Sequence, residues 1–205
     1  MPPKTPRGER TRAAFLDAAR QEFAEKGYFN AKIADIAERA GRSSGSFYNY
    51  YDNKELLLAD LVNEFPRDVM RRAFSDDRGP DLASRIEAAV NAYYAAYRTY
   101  LPEMVGVFQL AMTQPEFRER WLSLRSAGIK VLVTDIDHFR KRSDIPRQIR
   151  SEVLASALVS MLEGFCWVWM AAGGEEGITP PDDEEAIATL THVWSRAVLA
   201  ETRPK

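Results

Sequence analysis

Residues 15–57 read FLDAARQEFAEKGYFNAKIADIAERAGRSSGSFYNYYDNKELL. Apolar stripes of helical period alternate in this run with short punctuation. From Arg10 to Lys26, Phe15, Ala19 and Phe23 recur at i, i+4 and i+8, one face of a helix. Gly27 stands where a helix stops. Lys32 to Ala40 places Ile33, Ile36, Ala37 and Ala40 on one face of a second, short helix, which Gly41 ends. Ser43 or Ser44 can cap a third, SGSFYNYY, anchored by Phe47 and by Tyr50 or Tyr51. Asp52-Asn53 breaks that helix. Asn53 can cap a fourth, running from Lys54 to about Ser75, which Pro66 should kink or end near Phe65.

Two short helices around a tight turn at Gly41, each with an apolar face for a common core, have the layout of a helix-turn-helix. The second helix offers small polar residues first and aromatic hydroxyls later, which suits a major groove about 12 Å wide. Ser44 and Ser46 can exchange hydrogen bonds with base edges, and Asn49 can make a two-point contact with adenine. Tyr48 and Tyr50 can reach phosphate oxygens. Lys54, opening the next helix, can meet a phosphate together with free backbone N–H groups. A helical hairpin packed inside a larger α domain is the alternative reading of the same residues.

Composition narrows the function classes. The 205 residues carry 28 Lys+Arg against 30 Asp+Glu, net −2, so bulk charge does not coat nucleic acid and any DNA contact is local. The first twelve residues hold Lys4, Arg7, Arg10 and Arg12 against Glu9, a basic arm that can touch the DNA backbone. The single cysteine, Cys166, excludes an intramolecular disulfide framework and a multi-cysteine metal cluster. His138 and His192 form no HExxH-type pair. MPPKTPRGER has no apolar stretch behind its basic residues, so it is no secretory signal, and a cytoplasmic protein is expected. Gly41-Arg42-Ser43-Ser44-Gly45 matches GxSxG, but it follows a helix rather than a strand and is no nucleophile elbow. Neither enzymatic activity, nor a cofactor, nor a metal site is expected.

The remainder reads as further helices over 82–97, 102–112, 115–142, 146–172 and 182–201, with loops at 75–80 and 173–181. No alternating strand appears, so the expected fold is all-α with about nine helices. Thr113 and Glu116 have the spacing of a capping box. The apolar run 153–172 carries Glu163 in its middle, which points to a buried helix and not to a membrane span. Stripes of Ile86, Val90, Tyr93 and Tyr97, of Met104, Val107, Phe108 and Met112, and of Met161, Phe165 and Trp169 are either plain core or the lining of an apolar cavity. Tyr93, Tyr97, Phe108, Met112, Trp121, Phe165 and Trp169 are the candidate lining residues, with Glu163, Asp135, Gln109 and Arg98 as candidate polar anchors.

Residues 10–60 resemble the N-terminal domain of the tetracycline-repressor (TetR/AcrR) family of bacterial regulators. The match rests on Phe-Ala-Glu-Lys-Gly-Tyr at 23–28, Asp35-Ile36-Ala37, Ala40-Gly41, Phe47-Tyr48-x-Tyr50-Tyr51 and Asn53-Lys54-Glu55. The resemblance implies a homodimer on a double-stranded DNA operator and a helix-turn-helix at about 31–50. It places Tyr48 and Lys54 at phosphate-contacting positions, and Ser44, Gly45, Ser46, Asn49 and Tyr50 where bases or backbone are met. Three positions depart from the family. Ala31 stands where Thr is frequent, and Asn30 or Lys32 can substitute for its contact. Arg42 stands where an apolar residue is usual and can add a DNA contact; Ser44 stands where Lys is frequent.

The resemblance also implies a ligand pocket in the C-terminal bundle of each subunit and a dimer interface from the last two long helices. Leu158, Leu162, Ile187, Leu190, Trp194 and Val198 lie on stripes suited to such a four-helix seam. The expected organisation is a flexible basic tail over 1–7, a DNA-binding domain over 8–68 and a ligand-binding and dimerisation domain over 69–205. The expected function is a ligand-responsive repressor, released from its operator by an unidentified small apolar ligand. A helical ligand-binding or adaptor protein of the same fold, without operator binding, is the alternative.

Overall fold

The computed structural model describes residues 5–74, 81–140 and 149–198. Among them the chain is α1 Pro6–Asn30, α2 Ile33–Arg39, α3 Ser44–Tyr48, α4 Lys54–Val62, α5 Glu64–Ala73, α6 Leu82–Thr99, α7 Leu101–Ala111, α8 Pro115–Arg140, α9 Ser151–Cys166 and α10 Asp183–Val198. A π-helical turn, Trp167–Ala171, continues α9. The fold is all-α, as expected. Residues 1–4 of the expected tail, the 75–80 loop, and the expected helix ends at Arg142, Pro146 and Glu201 lie outside the described residues.

Three local expectations need correction. The first helix starts at Pro6 instead of Arg10, because Thr5 caps it: the Gly8 amide donates to Thr5 Oγ1 at 3.2 Å. The last residues of the expected 1–7 tail are therefore helical. The fourth expected helix splits at Asn63, earlier than Pro66. Pro66 falls in the first turn of α5, where its missing N–H breaks no helical bond. The capping box at Thr113 does not form: its hydroxyl turns back and donates to the Leu110 carbonyl, and α8 starts at Pro115.

The chain divides into two compact units, Met1–Phe65 with Tyr100–Trp121, and Pro66–Thr99 with Leu122–Lys205. In the first, α7 packs against α1 and α4. The core is Phe15, Phe23, Ile36, Phe47, Leu57, Leu58, Leu61 and Val62, all essentially inaccessible. Each contributes on the order of 1.5–3 kcal/mol by burial. Helix α7 comes so close that a Cβ on Gly106 would lie 3.1 Å from Leu58 Cδ2 and from Tyr28 Cβ.

In the second unit α6 packs against α9 and α10. Here Leu158, Leu162, Leu190, Trp194 and Val198 are buried within the single chain. Five of the six residues expected to form a seam between subunits are thus core of the protomer, and the sixth, Ile187, is half-buried. Their periodicity announces a buried face without saying whether the same chain or a copy covers it. The segment Ser151–Ala171 is long and apolar enough to cross a membrane by length and composition alone, a property that core helices share. Its Glu163 forms an ion pair with Arg125 of α8.

Candidate nucleic-acid interface

The turn between α2 and α3 is built from backbone chemistry. Gly41 has φ 65°, a left-handed value that favours glycine. The Gly41 amide donates to the Glu38 carbonyl and the Arg42 amide to the Ala37 carbonyl, both at 2.9 Å. This is the paired hydrogen bonding of a Schellman motif and closes α2. Ser43 then caps α3, its Oγ accepting from the Ser46 amide at 3.1 Å. Of the two serines open in the sequence, Ser43 is the cap.

One side of α3 is anchored. Phe47 is fully buried, its ring 5.5 Å from Phe15 in an edge-on contact and 5.7 Å from Tyr51. The other side is open. Arg42, Ser44, Gly45 and Asn49 are exposed, and Tyr48 is 54 % exposed. Lys32, just before α2, is exposed too. Ser46 and Tyr50 are half-buried, and the Tyr50 ring tilts against Phe15 at 5.6 Å, so Tyr50 braces the core as well as bordering the open face. The Arg42 guanidinium donates to the Gly41 carbonyl at 3.1 Å.

Lys54 is placed otherwise than expected. It opens α4 behind the Asn53 cap, whose Oδ1 accepts from the Leu56 amide at 2.8 Å. Its ammonium turns to the backbone of the 28–31 stretch. It donates to the carbonyls of Tyr28, Phe29 and Ala31 at 2.6, 3.2 and 2.8 Å, and lies 4.4 Å from the Tyr28 ring centre. Burial lowers its pKa, and the charge of Glu55 opposes that shift. Sequence spacing does not show these partners, because they lie 23–26 positions earlier in the chain.

Sequence reasoning also missed two polar clusters that hold the scaffold. Glu22 sits buried on the apolar face of α1, bonded by Lys26 at 2.7 Å and by Arg39 Nε at 2.7 Å. Arg39 reaches Glu25 as well, and Lys26 reaches Asp35, which ties α2 to α1. Lys26 first, and then Arg39, hold the Glu22 carboxyl below its usual range against burial. In the second cluster Tyr51 donates to Asp60 at 2.7 Å, and Asp60 accepts from Arg12 at 2.5 Å. A glutamate at a stripe position, between Ala19 and Phe23, was the available signal for the first cluster. Both clusters spend cations inside the unit, leaving Lys32 and Arg42 as exposed cations beside α3.

The candidate pocket residues divide between the two units. In the first, Phe108 and Trp121 make an edge-on pair at 6.2 Å. Met112 is 76 % exposed at the end of α7, a correction to its expected place in a lining. In the second, Tyr93 and Tyr97 pair at 6.0 Å, and Phe165 and Trp169 at 6.1 Å. Tyr97 is buried; Tyr93, Phe165 and Trp169 are half-buried. Of the candidate anchors, Glu163 pairs with Arg125, Asp135 with Arg85 and Arg98 with Asp183. Gln109 is half-buried. Burial pushes the Cys166 thiol up to about 12, the chemistry of a core thiol.

Comparison with known proteins agrees with this geometry. Residues 15–61 match the family of bacterial regulatory proteins, tetR family. Residues 86–200 match the C-terminal domain of the transcriptional regulator EthR. The chain is 27 % identical to the helix-turn-helix-type transcriptional regulator EthR of Mycolicibacterium smegmatis, covering 95 % of this chain and 93 % of that protein. It is 30 % identical to the transcriptional repressor KstR2 of Rhodococcus jostii, over 58 % of this chain and 65 % of that protein. In fold it is similar to a transcriptional regulator from Saccharomonospora viridis in complex with choline (TM-score 0.77, 17 % identity, 94 % of this chain and 100 % of that one). It is similar also to Salmonella enterica GusR (TM-score 0.72, 20 % identity, 95 % and 98 %). With a matched helix-turn-helix and a matched C-terminal domain covering more than half its length, the chain belongs to the TetR family of bacterial transcriptional regulators.

Proposed function

We propose that this regulator is a cytoplasmic repressor that works as a homodimer, each protomer laying α3 into the major groove of one half of a near-palindromic operator. The observation that carries this reading is the two-sidedness of α3: Phe47 is locked into the core while Ser44, Gly45, Tyr48 and Asn49 face outward. Asn49 and Ser44 read base edges, Tyr48 hydrogen-bonds phosphate, and Arg42 and Lys32 supply charge to the backbone.

The dimer face is the side of α9 and α10 that the protomer leaves open. Val153, Ala157, Ser160 and Gly164 follow one another on α9 at helical spacing, all exposed, and Thr189, Val193 and Ala197 do so on α10. Small side chains there permit close approach of a second copy. A small, largely apolar ligand enters the second unit beside Tyr93, Tyr97, Phe165 and Trp169. The chain itself carries the signal, because α6 of that unit runs through Tyr100 directly into α7, which packs on α1 and α4. The ligand acts by binding the released state better than the DNA-bound one.

The test is fluorescence anisotropy of a labelled duplex covering the DNA that flanks its own gene, titrated over a salt series. Binding whose logarithm falls linearly with log salt, by about 0.9 per phosphate contacted, supports the reading. No binding at low salt contradicts it and favours a helical ligand-binding or adaptor protein.

A further inference from the structure

Arg125 puts a charge on the inner stripe of α8, which Gly128, Ile129, Leu132 and Ile136 continue at helical spacing. Over 122–140 only Ile136 is buried among the described residues, so α8 covers its neighbours loosely. A Cβ on the half-buried Gly128 would meet nothing within 4 Å beyond its own helix backbone. Open space therefore adjoins α8 one turn from Arg125. The Arg125 side chain itself is 11 % exposed. Burial lowers its pKa, and Tyr93 of α6 is near enough to oppose that shift. Its ion pair with Glu163 of α9 is held unequally. Arg125 is fixed independently of Glu163, since its Nη2 donates to Ser160 Oγ at 3.0 Å. Glu163 has Arg125 as its one ion-pair partner among the described residues, and its side chain is 18 % exposed beside the exposed Gly164. The carboxylate is thus the member of the pair that can leave.

We propose that Arg125 is the ligand-recognising charge of the second unit, and that the ligand is an amphipathic carboxylate. Its carboxylate takes the place of Glu163 on Arg125, and its apolar chain fills the space beside Gly128. The proposal rests on the reading of the second unit as the ligand-binding one. In the unliganded chain Glu163 spares a desolvated guanidinium from being buried without a counter-charge. Exchange then replaces one carboxylate by another on the same planar fork. Glu163 turns toward Gly164 and regains water, and burial of the ligand chain drives the exchange. Tyr93 lies within electrostatic reach of the guanidinium, and burial keeps its phenol protonated, so its O–H offers a second donor. A cationic ligand would have to displace Arg125, which Ser160 holds. A neutral one leaves the pair closed and makes no charged contact.

The experiment is isothermal titration of the full chain with octanoate, octanol and octyltrimethylammonium, probes that share a chain and differ in charge. Wild type should bind octanoate about tenfold or more tightly than either other probe. Glu163→Gln frees the guanidinium at nearly constant shape. It should tighten octanoate by about tenfold or more and leave octanol unchanged. The double change Arg125→Met with Glu163→Met swaps the pair for apolar groups, which buried pairs tolerate. It should bind octanoate no better than octanol. Tighter binding of octyltrimethylammonium than of octanoate by wild type overturns the proposal in favour of a cation on Glu163. Equal affinity for octanoate and octanol in wild type and in Glu163→Gln overturns it too, leaving the pair a structural tie. If Glu163→Gln does not fold, the double variant decides, and an octanoate preference that survives in it overturns the proposal. Binding of none of the three probes by wild type or Glu163→Gln overturns the ligand site itself, and the proposal with it.

Discussion

Arg20 of α1 and Glu103 of α7 face each other with Nε 3.5 Å from Oε1, and the Glu103 carboxylate is 1 % exposed. The Arg20 guanidinium also lies over the Tyr100 ring, 5.5 Å from its centre. Burial raises the Glu103 pKa, and Arg20 opposes that rise without cancelling it. A carboxyl whose folded pKa exceeds its unfolded value, about 4.3, favours the folded state most below that unfolded value. The contribution is lost as pH rises through the folded pKa. Glu103→Gln keeps the shape of the protonated acid. It should therefore melt above wild type at pH 7, with the gap closing toward pH 4. A lower melting temperature at pH 7 would mean that the Arg20 pair outweighs the burial.

Glu22 is the opposite case. Lys26 and Arg39 hold its pKa below the usual range, so its stabilising contribution is present above about pH 4.3 and is lost as pH falls through the folded value. Glu22→Gln should lower stability at pH 7 and lose part of the acid limb of the unfolding curve. Curves that coincide with wild type from pH 7 to pH 3 would contradict the role given to this cluster in tying α2 to α1.

A side chain at Gly106 would crowd Tyr28 and Leu58, with its Cβ only 3.1 Å from each. Gly106→Val should destabilise the protein by about 1–3 kcal/mol through overpacking against Tyr28 and Leu58. Denaturant melts would show a lower midpoint with an unchanged slope. An unchanged midpoint would mean that α7 shifts freely on α1 and α4.

The exposed α9 face gives a test of assembly. Ala157→Arg puts a charge in the middle of the Val153–Gly164 stripe without touching the protomer core. Light scattering should find monomer at concentrations where wild type is dimeric, with the melting of the monomer intact. Operator affinity should fall by a hundredfold or so, as expected when two half-sites are no longer held together. A dimer that persists would move the interface elsewhere.

Within α3, Asn49→Ala should relax preference at one or two base positions by about 1–3 kcal/mol. Tyr48→Phe should weaken binding to all sequences alike, by about 1 kcal/mol. Binding measured on a panel of single-base variants separates the two. A uniform loss for Asn49→Ala would remove it from base reading.

The reading head was legible in the sequence because its determinants are local. Gly41 needs a left-handed φ, Ser43 and Asn53 cap within three residues, and Phe15 and Phe47 announce their buried faces by spacing. What escaped depends on distant partners. Lys54 looked like a surface cation because nothing near it in sequence shows the Tyr28 and Ala31 carbonyls. Trp194 and Leu162 showed a buried face, but periodicity does not say whether the cover is the same chain or its copy. Met112 kept the stripe of α7 but fell at the helix end, where the core no longer reaches. The break at Asn63 and the π turn at Trp167–Ala171 have no propensity signature strong enough to place them.

Hydroxyl-radical footprinting of the full chain on the DNA flanking its own gene, at stoichiometric protein, examines the paired use of α3 most directly. Two protected patches related by a two-fold axis should appear, their centres about 10–10.5 base pairs apart or a multiple of that. A single unsymmetrical patch, or two patches at a separation unrelated to the helical repeat, would contradict the presentation of two α3 helices to successive grooves.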